Sequence, residues 1–247
     1  MTASRFKHLL FDLGGTLMYA RENWQPVQVR ADQCLVDELA RHNIQLDAQL
    51  FRKRLRKYYE ERDKDFHETT YHLVLQEMLR ELGQDEAAES VLRSALDALY
   101  AITQTNWQLE EDAAETLLKL KSDQYHLGIF SNAGDDKDVQ ELVARFGIRA
   151  HFDFVLTSAA SFYRKPHRRA FEIALAQWNI NPGEAIMIGD SLEADMWGAQ
   201  QLGMKTIWIT RRAKFTDEDM HRIKPDFSIR KLKELIPTLD LISINRI

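Results

Sequence analysis

Nearly continuous apolar runs alternate with helical stretches through the second half of the chain. The runs fall at residues 125–130, 152–156, 185–188, 206–209 and 227–229, and the helical stretches at 136–146, 167–178 and 192–202. A strand that is apolar at every position is covered on both faces, as in a parallel sheet sandwiched by helices. Residues 6–11 share this texture and close on Gly14-Gly15, a strand and then a tight turn. Between residues 21 and 103 the texture is helical only. Its four apolar stripes run through Leu35 and Leu39, Phe51 and Leu55, Leu75 and Leu79, and Leu92 and Leu96. Asp47 is placed to cap the second stripe, and Gly83 to end the third. The fold class expected is α/β, a Rossmann-like parallel sheet carrying an all-helical insertion. Residues 1–17 and 105–247 form the discontinuous core, and residues 18–104 the insertion.

Composition narrows the setting. Hydrophobic residues make up 45% and charged residues 29%, which argues against disorder. A formal net charge of -5 argues against nucleic acid as a partner. Cys34 is the single cysteine, so an internal disulfide and a thiolate zinc site are both excluded, and a cytoplasmic location is expected. Residues 1–6 lead straight into the first strand without a signal-peptide pattern. No window holds the roughly 18 apolar residues of a membrane span, so no membrane partner is expected.

Ligands in an open parallel sheet sit beyond the carboxyl ends of the strands. There the chain places Asp12 before Gly14-Gly15-Thr16, Ser131-Asn132, and Gly189-Asp190-Ser191 with Asp195 a turn later. Arg164-Lys165-Pro166 lies in a connecting loop. Such a set suits phosphoryl transfer. A carboxylate can attack phosphorus and split one displacement into two. Paired carboxylates repel unless a cation lies between them, and Mg²⁺ favours oxygen ligands. A lysine offsets charge on the phosphoryl group, and Ser131 with nearby N–H groups can hold its oxygens.

In order, these four segments resemble the four motifs of the haloacid dehalogenase-like hydrolases: residues 11–17, 130–132, 164–166 and 189–195. The insertion is similar to the helical cap of that family's subfamily I. The resemblance implies a Mg²⁺-dependent phosphatase acting on a small phosphorylated substrate through an aspartyl phosphate at Asp12. It further implies that Asp12, the Gly14 carbonyl and Asp190 hold the metal. Thr16, Ser131, Asn132 and Lys165 would contact the phosphoryl group, and Asp195 would support Lys165 or a metal-bound water.

One position departs from the pattern. The family's usual first motif carries a second aspartate two residues after the nucleophile, where this chain has Gly14. That aspartate serves as general acid and base, a contribution typically worth about 10²–10⁴-fold. Substrates with good leaving groups are therefore favoured. The alternative reading is a catalytically weak or inactive relative that binds a phosphorylated ligand or a protein partner.

Three other features read more plainly. The basic run at residues 52–57 is followed by acidic residues at helical spacing, which suits a solvated helix face. His67 and His72 are five residues apart, on different faces of a helix, so a shared zinc is not expected. Tyr19 and Trp24 lie near the junction of core and insertion and are candidates for pocket lining, whereas Trp107, Trp178, Trp197 and Trp208 are read as packing.

Overall fold

The computed structural model describes residues 6–84 and 88–245. The N-terminal segment read for a targeting signal therefore lies, apart from Phe6, outside the described residues. In chain order the first elements are β1 (His8–Phe11), β2 (Met18–Ala20), α1 (Trp24–Arg41), α2 (Ala48–Asp65), α3 (Tyr71–Glu81), α4 (Glu89–Gln104) and β3 (Trp107–Leu109). There follow α5 (Ala113–Ser122), β4 (His126–Ser131), α6 (Asp136–Arg145), β5 (Phe154–Thr157), α7 (Ser158–Ser161), α8 (Arg168–Ala176) and β6 (Ala185–Gly189). A π-helical segment (Leu192–Trp197) then runs into α9 (Gly198–Gln200), before β7 (Lys205–Ile209), α10 (Asp217–Arg222), β8 (Phe227–Ile229) and α11 (Leu235–Asn245).

Six strands form one parallel sheet in the order β5-β4-β1-β6-β7-β8. Side chains alternate across it with the period of two that a strand imposes. Leu9, Phe11, Leu127, Ile129, Ile186 and Ile188 enter the apolar cluster on one face, with α5, α6 and α11. Leu10, Phe130, Met187 and Trp208 enter the cluster on the other, with α8 and the π-helical segment. Both faces are covered, which is why the strands read as continuous apolar runs.

The four stripes of the helical zone are α1 to α4, and they share a separate apolar cluster that includes Leu35, Phe51, Leu75 and Leu96. Asp47 caps α2 as expected, accepting from the Leu50 N–H at 2.7 Å. Several elements go beyond the sequence expectation, among them α5, α11 and a two-stranded antiparallel ribbon of β2 with β3. The ribbon joins the two crossings between core and helical layer. Asn106, buried beside it, accepts from the Glu22 N–H at 2.7 Å and donates to the Glu22 carbonyl at 3.2 Å. Its own carbonyl accepts from the Arg21 N–H at 2.8 Å. No helix among the described residues is long and apolar enough to cross a membrane.

Candidate active site

Strand register places the site. Phe11 pairs with Ile129 on one side and Ile188 on the other, so Asp12, Phe130-Ser131 and Gly189-Asp190 leave the sheet at one end. They open into a cleft of about 1180 Å³ between the sheet and the helical layer. Gly14, Ser131, Asn132, Lys165 and Asp195 line the same cleft.

Lys165 is the hub. Its Nζ donates to Asp12 Oδ1 at 2.7 Å, Asp195 Oδ1 at 2.7 Å and the Phe130 carbonyl at 2.8 Å, which uses all three of its hydrogens. Burial works against the charge of this ammonium, but the Asp12 and Asp195 carboxylates outweigh it and hold the pKa above its ordinary value. Asp195 lies on the π-helical segment, and its Oδ2 accepts from the Ser191 N–H at 3.0 Å. A Cβ on Gly189 would overlap the Asp195 side chain, so this carboxylate reaches the lysine only because residue 189 lacks one.

Asp12, Asp190 and Asp195 each offer an oxygen within 4.8 Å of the others. Such crowding raises the pKa of Asp190 to about 8, through burial first and then the charges of Asp12 and Asp195. Lys165 alone does not offset three carboxylates. A hard divalent cation such as Mg²⁺, which prefers carboxylate and carbonyl oxygens, fits this donor set. Gly15 makes the approach possible. It sits at φ +88°, and a Cβ there would overlap the Asp190 carboxylate.

Two expected phosphoryl ligands, Thr16 and Asn132, have distinct surroundings. Thr16 is buried, does not line the cleft, and its Oγ1 has no hydrogen-bond partner among the described residues. The Asn132 amide is engaged at both ends by the backbone of Lys165, donating to its carbonyl at 2.9 Å and accepting from its N–H at 2.8 Å. It joins the loop after β4 to the loop that carries the lysine.

Tyr19 and Trp24 line the cleft, in line with their position near the junction. Trp107 does so too, although its sequence context gave only packing. Its ring meets Trp24 edge-on at 5.1 Å and covers Gly14, where an added Cβ would stand 3.0 Å from Trp107 Cη2. Arg52 also departs from the solvated-face reading. It turns inward to a bidentate pair with Asp32, at 2.6 and 2.5 Å, and lines the cleft with Arg62 and Tyr71. Lys53, Arg56 and Lys57 are exposed as expected. His67 and His72 part company, His67 pairing with Asp65 and His72 with Glu89.

The model of the haloacid dehalogenase-like hydrolase family matches residues 33–209. The chain belongs to this family. It is thus an enzyme of hydrolase type. A glyceraldehyde 3-phosphate phosphatase of Pyrococcus furiosus is 28% identical over 96% of this chain and 94% of its own length. A phosphoserine phosphatase of Thermus thermophilus is 28% identical over 66% of this chain and 62% of its own length. Among solved structures, a 2-haloacid dehalogenase from Pseudomonas syringae superposes with a TM-score of 0.72 at 24% identity, covering 96% of this chain and 98% of that one. This last likeness concerns the fold.

Proposed function

We propose that this hydrolase is a Mg²⁺-dependent phosphatase of small phosphorylated metabolites, working in the cytoplasm through an aspartyl phosphate on Asp12. The observation that carries the reading is the three-way contact of the Lys165 ammonium with Asp12, Asp195 and the Phe130 carbonyl, at the edge of a cleft that Asp190 also lines. Two phosphatase relatives support the substrate class.

Lys165 holds Oδ1 of Asp12, which leaves Oδ2 to attack phosphorus in line with the ester oxygen. The P–O bond to the leaving alcohol breaks as the Asp12–phosphorus bond forms. Water then attacks the same phosphorus and releases inorganic phosphate and the free carboxylate. Lys165 faces negative charge gathering on the phosphoryl oxygens, and Ser131 supplies a further donor. Asp12, Asp190 and the Gly14 carbonyl would hold Mg²⁺, which when bound neutralises phosphate charge and aligns the phosphoryl group for attack. Asp195 keeps Lys165 pointed at Asp12. Residues 18–104 serve as a cap over the core of residues 1–17 and 105–247, closing the cleft to bulk water.

The Trp107 ring over Gly14 favours a narrower version. Residue 14, as a glycine under that ring, offers no carboxyl group to protonate the leaving oxygen, so acyl phosphates should turn over faster than alkyl phosphates by about 10²-fold or more. The test is a Mg²⁺-dependent panel of small phosphate esters run with Asp12→Asn. Turnover should drop by about 10³-fold or more in the variant. Activity that persists there removes Asp12 as nucleophile. Equal rates on acetyl phosphate and glycerol 3-phosphate remove the leaving-group restriction.

A further inference from the structure

The buried carboxylate of Glu68 has no part in this scheme. It lies between α2 and α3 on the helical side of the cleft, with a side chain wholly shielded from solvent. Oε1 accepts from Arg62 Nη1 at 3.1 Å, within the helical layer. Oε2 accepts from Arg164 Nη1 and from Ser158 Oγ, both at 2.5 Å and both in the core. Backbone bonds run alongside, from the Glu68 N–H to the Phe162 carbonyl at 2.9 Å and from the Arg164 N–H to the Phe66 carbonyl at 2.8 Å. They form a single antiparallel bridge between His67 and Tyr163. Phe66 and Phe162, at its edges, are held at φ 59° and 65°. A bulky side chain keeps such a left-handed conformation only where its surroundings over-determine it.

From Glu68, contacts reach the reacting groups along two arms. Ser158 Oγ accepts from the Ala133 N–H at 2.9 Å, which pins the loop that follows Ser131. Arg164 precedes Lys165, whose backbone is held at both ends by Asn132 of that same loop. The contacts close a ring: Glu68, Ser158, Ala133, Asn132, Lys165, Arg164. A contact that merely glued two layers together would be met as well by apolar side chains, which carry no desolvation cost. A buried charge with directional bonds to two catalytic loops does something apolar packing cannot.

We propose that Glu68 is a positioning residue. Docked from the helical layer, it sets the Ser131–Ala133 loop and Lys165 in register, so the phosphoryl site is complete only when the layer is closed on the sheet. The inference rests on the phosphatase reading for its kinetic consequence, but its geometric consequence can be read without turnover. Glu68→Ala, in the full chain with saturating Mg²⁺, should lower kcat by about 10- to 100-fold while KM moves little. Glu68→Gln keeps an acceptor for Ser158 and Arg164 and should recover most of the loss. Hydrogen exchange at the Ala133 and Lys165 amides should quicken about tenfold in Glu68→Ala, with β1 and β6 unchanged. Wild-type kcat, a change confined to KM, or unaltered exchange at those two amides overturns the proposal. If Glu68→Ala does not fold, Ser158→Ala cuts one arm of the ring, and wild-type kcat in that variant is equally decisive against it. A wild-type enzyme inactive on every phosphate ester would sink the phosphatase reading alone, and the exchange comparison would still decide Glu68.

Discussion

Lys165 is the cation that the buried carboxylates of Asp12 and Asp195 share through hydrogen bonds. Lys165→Met would leave both unpaired in a water-poor site, and removing one partner of a buried pair costs about 3–5 kcal/mol. Urea unfolding of the metal-free variant should show that loss. The acidic cluster also ties stability to pH. Asp190 is raised to about 8 and Asp195 to about 6, each chiefly by burial, so the folded chain holds these protons more tightly than the unfolded one. The stability they lend is complete below the unfolded value of 3.8 and is lost as pH rises through the folded values. In chelator, Tm should therefore fall between about pH 5 and 8. The rise in Tm on adding Mg²⁺ should be larger at pH 8 than at pH 5, and Asp190→Asn should flatten both trends. Gly14 calls for a paired substitution. An aspartate there must push aside the Trp107 ring, so Gly14→Asp alone should not speed alkyl phosphate hydrolysis. Gly14→Asp with Trp107→Ala should bring part of the 10²–10⁴-fold typical of a general acid.

At the scale of elements, one buried side chain, that of Asn106, braces the open end of the β2–β3 ribbon. Asn106→Ala removes two hydrogen bonds to the Glu22 backbone and should cost about 1–3 kcal/mol, readable by denaturant melts. Nothing in the local sequence marks this ribbon. Its strands are three residues long, and their pairing joins segments that are far apart in the chain. The buried strands of the sheet were legible because two-sided burial leaves an unbroken apolar run. Asp12 and Asp190 were legible because each follows such a run, and Lys165 because Arg164-Lys165-Pro166 resembles the third of the four ordered motifs. Glu68 was not, since its meaning comes from Ser158 and Arg164, which only the fold brings near. Trp107 was missed for the same reason. An indole reads as packing until the glycine beneath it is known.

At the scale of the molecule, sheet and helical layer keep separate apolar clusters, and polar contacts bridge them. Arg93 pairs with Asp135 at 2.7 Å, Lys137 with Asp97 at 2.7 Å, and Gln104 donates to Asp138 at 2.9 Å. Partly exposed pairs of this kind are worth about 0–1 kcal/mol each, and 1 M salt cuts the screening length to about 3 Å. The radius of gyration from small-angle X-ray scattering should thus be larger at 1 M than at 0.1 M NaCl, and an unchanged value would show that these pairs do not hold the layer down. The ribbon fixes what kind of opening is possible. The chain leaves for the helical layer at Arg21 and returns at Asn106, and these two residues are hydrogen-bonded to each other. As far as the sheet is concerned, everything between them is the loop of a hairpin. A segment attached that way can be lengthened, shortened or exchanged for another without moving a strand, so the wall that α1 to α4 lend the cleft can change while Asp12, Lys165 and Asp190 stay in place.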